Sequence, residues 1–371
     1  MDCWQMYMDR LAKPLQRAVA MLSASNKSIL ILFLCGATVG SAFVSLNIGT
    51  IDLSPSQVLS ACLGKLGVSL GLPELAPEAA QVILALRLPR ILLALLVGMS
   101  LAICGTALQG LFRNPLADPG LIGVTSGGAV GAALMIVLGS GTLHLLGPSL
   151  QSFATISSAM LGSIGSTCLI YRLAKIGGRI HVPTMLLCGI AVNALAGAIL
   201  GTLIYIAELD KLRDLTFWSL GSFARAPRTA IFVAIPLLIL LLIQLLRQAK
   251  QLNVLLLGDA EAGHLGLDTH PLRRQLILLT GAIVGICVAL SGTIAFVGLI
   301  IPHLMRLLVG PNHSYLLPAA GLAGGVLLIL ADILARTMLS TAEIPIGILT
   351  AFLGAPFFLF LLLSARRKEL V

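Results

Sequence analysis

Eight stretches of this chain, between 18 and 53 residues long, contain no Asp, Glu, Lys or Arg. They occupy 28–51, 91–112, 119–171, 180–207, 229–246, 275–305, 307–331 and 344–365. A bilayer core about 30 Å thick takes roughly 20 apolar residues per helical crossing, so runs of this kind are spans rather than core segments of a soluble domain. Only 11% of the 371 residues are charged and 58% are hydrophobic, against about 25% charged in soluble chains. The run 119–171 is long enough for two crossings joined near Gly139 to Pro148, and 275–305 for a full helix plus the start of a shorter one. The count is about ten transmembrane helices in an all-α polytopic membrane protein.

Basic residues set the orientation, because Lys and Arg collect on the cytoplasmic side. With the N-terminus inside, 16 of the 24 fall in cytoplasmic segments. Lys65, Arg87, Arg90, Lys211, Arg213, Arg225, Arg228 and Arg336 face outward. Both termini are therefore expected in the cytoplasm, and the net charge of +9 reads as topology, not as nucleic-acid binding. Residues 1–27 are expected to form a cytoplasmic tail before an uncleaved first span, 28–365 the permease domain, and 366–371 a second tail. The seven cysteines are isolated, with no metal-ligand or disulfide spacing, and read as packing residues.

Two outward segments stand out. In 50–80, Ser54 is placed to cap a short helix beginning at Pro55. The segment 207–228 carries seven charges together with Phe217 and Trp218, a mixture suited to a lipid interface or a partner surface. The longest inward segment, near 250–272, contains short helical stretches punctuated by Gly258, Gly263 and Gly266. Plain helix connections need only about 2 to 8 residues, so this one is expected to meet a partner. A faint echo relates Cys104-Gly105-Thr106 to Ser291-Gly292-Thr293, each read as ending a span.

Four segments carry a resemblance. They are Leu86-Arg87-Leu88-Pro89-Arg90 continuing to Gln109-Gly110-Leu111-Phe112-Arg113-Asn114-Pro115-Leu116-Ala117-Asp118-Pro119-Gly120; Leu257 to Leu267; Gly292 to Arg306, which includes Phe296-Val297-Gly298-Leu299-Ile300-Ile301-Pro302-His303; and Ala331-Asp332 through Arg336 and Glu343 to Gly354-Ala355-Pro356-Phe357-Phe358. Together they resemble the FecCD-type permeases, the membrane subunits of ABC importers for haem, ferric siderophores and cobalamin. The resemblance implies a homodimer in the bacterial inner membrane, with the path at the dimer interface, two cytoplasmic ATPase subunits and a periplasmic substrate-binding protein. It implies no enzyme in this chain and no resident cofactor or metal. ATP would be used by the partner subunit, in keeping with the lack of a G-x-x-x-x-G-K-[ST] loop here.

By the same resemblance Arg87, Arg90 and Arg336 would dock the binding protein, since arginine pairs bidentately with carboxylates. Arg87 and Arg90, three apart, would share one helix face. Gly258, Asp259, Glu261 and Gly266 would rest on the ATPase. Asp332 is read as an intrahelical partner of Arg336, Glu343 as stabilised at a helix start, and His303 as a structural hydrogen-bonding residue. The stretch Leu212 to Phe223 looks most like the haem-transporting members, with a ferric siderophore next and cobalamin third. Arg213 and Arg225 could then meet propionates, and His144 and Tyr205 could touch the cargo in passing. An ion-coupled secondary transporter would need midspan carboxylates, and the spans are almost free of charge at mid-depth. A membrane-embedded enzyme would gather His, Asp or Glu at one face, and none gather here.

Overall fold

The computed structural model describes residues 24–49, 54–58, 77–120, 122–139, 147–176, 179–224, 226–339 and 342–369. These form a helical bundle. Its elements are α1 (Ala24–Asn47), α2 (Pro77–Val82) running through a π turn (Ile83–Arg87) into α3 (Leu88–Leu111), α4 (Val124–Leu138) and α5 (Pro148–Leu173). A two-stranded ribbon, β1 (Lys175–Ile176) with β2 (Arg179–Ile180), leads to α6 (Val182–Ile206), α7 (Leu209–Ser219) and α8 (Arg228–Arg247). Two short helices, α9 (Ala249–Leu255) and α10 (Asp259–His264), precede α11 (Thr269–Ser291), α12 (Val297–Val309), α13 (His313–Thr337) and α14 (Ile346–Glu369). Among the described residues seven helices are long and apolar enough to cross a membrane, and shorter apolar helices lie at Val124–Leu138, Val297–Val309 and Ile346–Leu359.

Burial separates a centre from a periphery. The windows in α3 and α11 are 78% buried and that in α13 is 72%, whereas those in α1 and α6 are 22% and 17%. Without a hydrophobic drive between helices in lipid, close packing depends on small residues that let backbones approach. Gly98 of α3 lies against Gly324 and Gly325 of α13, where an added Cβ would stand 2.9 Å from the Gly325 Cα. Gly98→Ala is therefore expected to force the two backbones apart, at roughly 1–3 kcal/mol for overpacking. In Gly36→Ala the new methyl meets nothing within 4 Å. Thermal unfolding in detergent should show a lowered midpoint for the first and an unchanged one for the second.

The end that the basic-residue bias assigns to the outside is called the outer end below. There the backbone between α7 and α8 is stitched to its neighbours: Ser222 N donates to Ser291 O at 2.8 Å and Ile346 N to Gly221 O at 2.9 Å. Ser54 does cap the short turn that follows it. Its hydroxyl accepts from Gln57 N at 3.3 Å while its own N donates to Gln57 Oε1 at 2.9 Å, a reciprocal capping box.

The helix containing the second apolar run begins at Pro77, so Arg87 and Arg90 lie within one continuous helical segment. One expectation is corrected here. The echo between Gly105 and Gly292 fails. Gly105 sits inside α3, which continues to Leu111, whereas Gly292 ends α11 at φ 69°. The last helix continues to Glu369.

Candidate docking and coupling sites

At the outer end, five polar side chains from three helices and a loop form one cluster. Arg90 Nε donates to both carboxylate oxygens of Asp332, at 3.0 and 3.2 Å, and its Nη2 reaches Asp332 Oδ1 at 2.8 Å. On its other side Nη1 and Nη2 hold Glu343 bidentately, at 3.0 and 2.9 Å. Arg336 pairs with Asp332 at 3.2 Å across one helical turn, and also donates to Ser45 Oγ at 2.8 Å and Ile48 O at 3.1 Å. Arg87 turns the other way and donates to Leu46 O at 2.6 Å and Asn47 O at 3.2 Å. The cluster thus ties the end of α1, the start of α3, the end of α13 and the approach to α14 together.

Asp332 is only 1% exposed. A carboxylate that deep in the protein is tolerable only with partners, and it has two guanidinium groups. The intrahelical Asp332–Arg336 pair is present as expected. Glu343 is different: its partner is Arg90, and the helix it was expected to stabilise starts later, at Ile346. Arg87 and Arg90 do not act as one face, because the first meets α1 carbonyls and the second meets α13 and Glu343. The exposed part of the cluster is Glu343, whose side chain is 46% exposed against 16% for Arg90.

At the inner end, α9 and α10 form a compact double turn. Gly258 joins them with φ 117°, and Gly266 closes α10 with φ 80°, backbone values that favour glycine. Asp259, in the first turn of α10, pairs with Arg273 of α11 at 2.5 Å. Glu261 and Gly266 lie on the exposed side of the same segment. The segment is therefore short helices punctuated by glycine, held to the bundle by an ion pair that its sequence did not advertise.

Deeper at this end is a neutral and cationic network that sequence reasoning missed. Arg306 of α12 donates to Gln109 Oε1 of α3 at 2.9 Å. Asn253 of α9 accepts from the backbone N of His313 at 2.7 Å and lies 3.0 Å from its Nδ1, while donating to Asn312 Oδ1 at 2.9 Å. The partners are 60 residues apart in sequence, so no local spacing points to them. His303 packs its ring edge-on against Phe357 at 6.4 Å, the side-chain contact seen for it among the described residues.

The four cargo candidates are not assembled into one place among the described residues. Tyr205 is 90% exposed at the end of α6, and Arg213 is exposed on α7. His144 and Arg225 lie outside the described residues. On α6 the exposed positions Ala191, Ala194, Ala198, Gly201 and Tyr205 recur at helical spacing, which makes one face of small side chains ending in a phenol. Among the described residues no group of three His, Cys, Asp or Glu side chains is placed to hold a metal ion.

A bundle of apolar helices with packed glycines, a charged outer knot and a two-helix inner projection is the architecture of a membrane permease. The sequence profile of the FecCD transport family matches residues 30–364, and the chain belongs to that family. It is similar to the hemin transport system permease protein HmuU of Yersinia pestis, 45% identical over 77% of this chain and 84% of that one. The cobalamin import system permease protein BtuC of Halobacterium salinarum is 37% identical, covering 93% of this chain and 96% of its own length. The vitamin B12 import permease BtuC of Shigella boydii is 40% identical over 84% of this chain and 92% of its own. In three dimensions the chain matches a solved metal-chelate type ABC transporter in an inward-facing conformation, with a TM-score of 0.76, 38% identity and coverage of 91% and 99%. The chain is thus a permease subunit of the FecCD class of ABC importers.

Proposed function

We propose that this permease carries haem across a bacterial inner membrane. In this reading it crosses about ten times, keeps both termini in the cytoplasm and works as a homodimer with two ATPase subunits and a periplasmic binding protein. The observation that carries the cargo reading is the 45% identity with a hemin permease, against 37% and 40% with the two cobalamin permeases. The face of α6 supports it physically. A flat, mostly apolar ring slides past alanine and glycine, with the phenol of Tyr205 confined to the end of that face. Cobalamin is the second reading, favoured by the Halobacterium relative's match over 93% of this chain. A ferric siderophore is the third cargo within the same class.

The inner turn 258–266 is assigned to the ATPase, with Gly258 and Gly266 setting the turn and Asp259 and Glu261 at the contact. The outer cluster is assigned to the binding protein. Because Arg90 and Arg336 are already paired internally, reversing them to glutamate would place like charges beside Asp332 and disturb the fold along with docking. A cleaner variant is Glu343→Gln, which releases the exposed side of the Arg90 guanidinium. It is expected to tighten binding-protein association, measured with the permease–ATPase complex in nanodiscs. Unchanged or weaker association would count against the docking assignment.

Cargo is tested by ATP hydrolysis of the same complex with a panel of binding proteins loaded with haem, cobalamin or a ferric siderophore. Stimulation by the haem-loaded protein alone supports the reading. Stimulation only by the cobalamin-loaded protein moves the assignment to the second.

A further inference from the structure

Helix α13 is anchored at both ends by side chains from elsewhere in the chain. At its inner start, Asn312 caps it by accepting from Ser314 N at 2.9 Å, and Asn253 of α9 holds Asn312 and His313 with three contacts of 2.7 to 3.0 Å. His313 is 1% exposed, and its ring fills the space beside Gly110 of α3, where an added Cβ would lie 2.5 Å from Nε2. Nineteen residues further on, Asp332 carries the outer charge cluster. At 1.5 Å per residue the two anchors are about 28 Å apart. Between them the helix is held against α3 by the Gly98–Gly324 contact, which leaves little slack along its length.

Among the described residues, the Asn253 contacts are the side-chain hydrogen bonds that join α9 to α13. Leu252 and Leu255 of α9 are fully buried but apolar, so they hold the helix down without fixing its direction. A primary amide that both accepts and donates fixes position along the helix and rotation about it.

We propose that Asn253 is the joint that makes α13 a rigid rod between the inner segment and the outer cluster, so that this one amide sets how strongly an event at the outer surface controls ATP hydrolysis by the partner subunit. It is a positioning residue, acting through His313 and Asn312. The proposal rests on the assignment of 258–266 to the ATPase. Coupling between sites of this kind is worth about 1–3 kcal/mol, or roughly 5- to 150-fold.

The test uses the complete permease–ATPase complex in nanodiscs, comparing basal hydrolysis with hydrolysis stimulated by loaded binding protein. Asn253→Ala is expected to keep basal hydrolysis within about two-fold while the stimulation ratio falls by about five-fold or more. Asn253→Asp retains an acceptor for both His313 contacts but sets a carboxylate oxygen against Asn312 Oδ1, so the ratio should fall in it too. The proposal is overturned if either variant keeps its stimulation, or if basal and stimulated rates fall by the same factor. A cysteine substituted at Gly263, whose added Cβ meets nothing within 4 Å, reports separately on the underlying assignment. In the otherwise unaltered chain it should crosslink to the ATPase. Failure of that crosslink removes the ATPase assignment, whereas a retained crosslink with unaltered stimulation in Asn253→Ala removes only the joint.

Discussion

Asp332→Ala is expected to unfold the protein in detergent at a markedly lower temperature than the unaltered chain. Asp332 is 1% exposed and faces the guanidinium groups of Arg90 and Arg336, at 2.8 and 3.2 Å. Removing the carboxylate leaves two buried or half-buried cations sharing a site with nothing between them, and breaking a buried pair in this way costs about 3–5 kcal/mol. The largest single loss falls on α13, because Asp332 joins it to α3 while Arg336 joins it to α1. Replacing a buried pair by apolar groups is far milder than orphaning one partner. The double variant Asp332→Leu with Arg336→Met should therefore recover a large part of the loss, with Arg90 still held by Glu343. Thermal unfolding followed by size-exclusion chromatography decides it. An Asp332→Ala midpoint equal to that of the unaltered chain would show that the cluster contributes no net stability.

Gly258→Val is expected to abolish transport with little effect on the stability of the bundle. Gly258 has φ 117° and ψ 163°, a region open to glycine and costly for any residue with a Cβ, more so for a β-branched one. The strain is about 1–3 kcal/mol, equivalent to a loss of roughly 5- to 150-fold in the competent population at about 1.4 kcal/mol per decade. Its cheapest relief is to swing α10, which carries Asp259 away from Arg273 and moves the proposed ATPase contact. Co-purification with the ATPase and uptake into liposomes should fall together, while the unfolding midpoint stays close to that of the unaltered protein. Uptake within two-fold of normal would contradict the role given to this turn.

The spans were legible because charge-free runs report directly on what lipid tolerates. The break between α11 and α12 was legible because Gly292 interrupts one such run, and the Asp332–Arg336 pair because its spacing is local. The extension of the helix back to Pro77 was not. Arg87 and Arg90 interrupt the apolar pattern there, and the groups that make them acceptable are on α1, on α13 and at Glu343, 242 and 253 residues away in the case of Arg90. Local reading could place these arginines outward but could not show that they are already paired. The same limit hid Asn253 with His313 and Arg306 with Gln109, where each residue alone looks like an ordinary polar side chain near a helix end. Glycine told half its story: its abundance indicated close packing, while the facing pairs, Gly98 with Gly324 and Gly105 with Gly298, emerge only when the helices are set side by side.

The proposed function is movement of haem through this subunit, driven by ATP hydrolysis in a partner. Its most direct measurement is uptake into liposomes that enclose a haem-binding reporter protein and carry the reconstituted permease–ATPase complex, with haem-loaded binding protein outside. An ATP-dependent Soret change in the enclosed reporter is expected, and it should be lost in Gly258→Val. No Soret change, alongside ATP-dependent uptake of cobalamin or a ferric siderophore by the same complex, would contradict haem as the cargo.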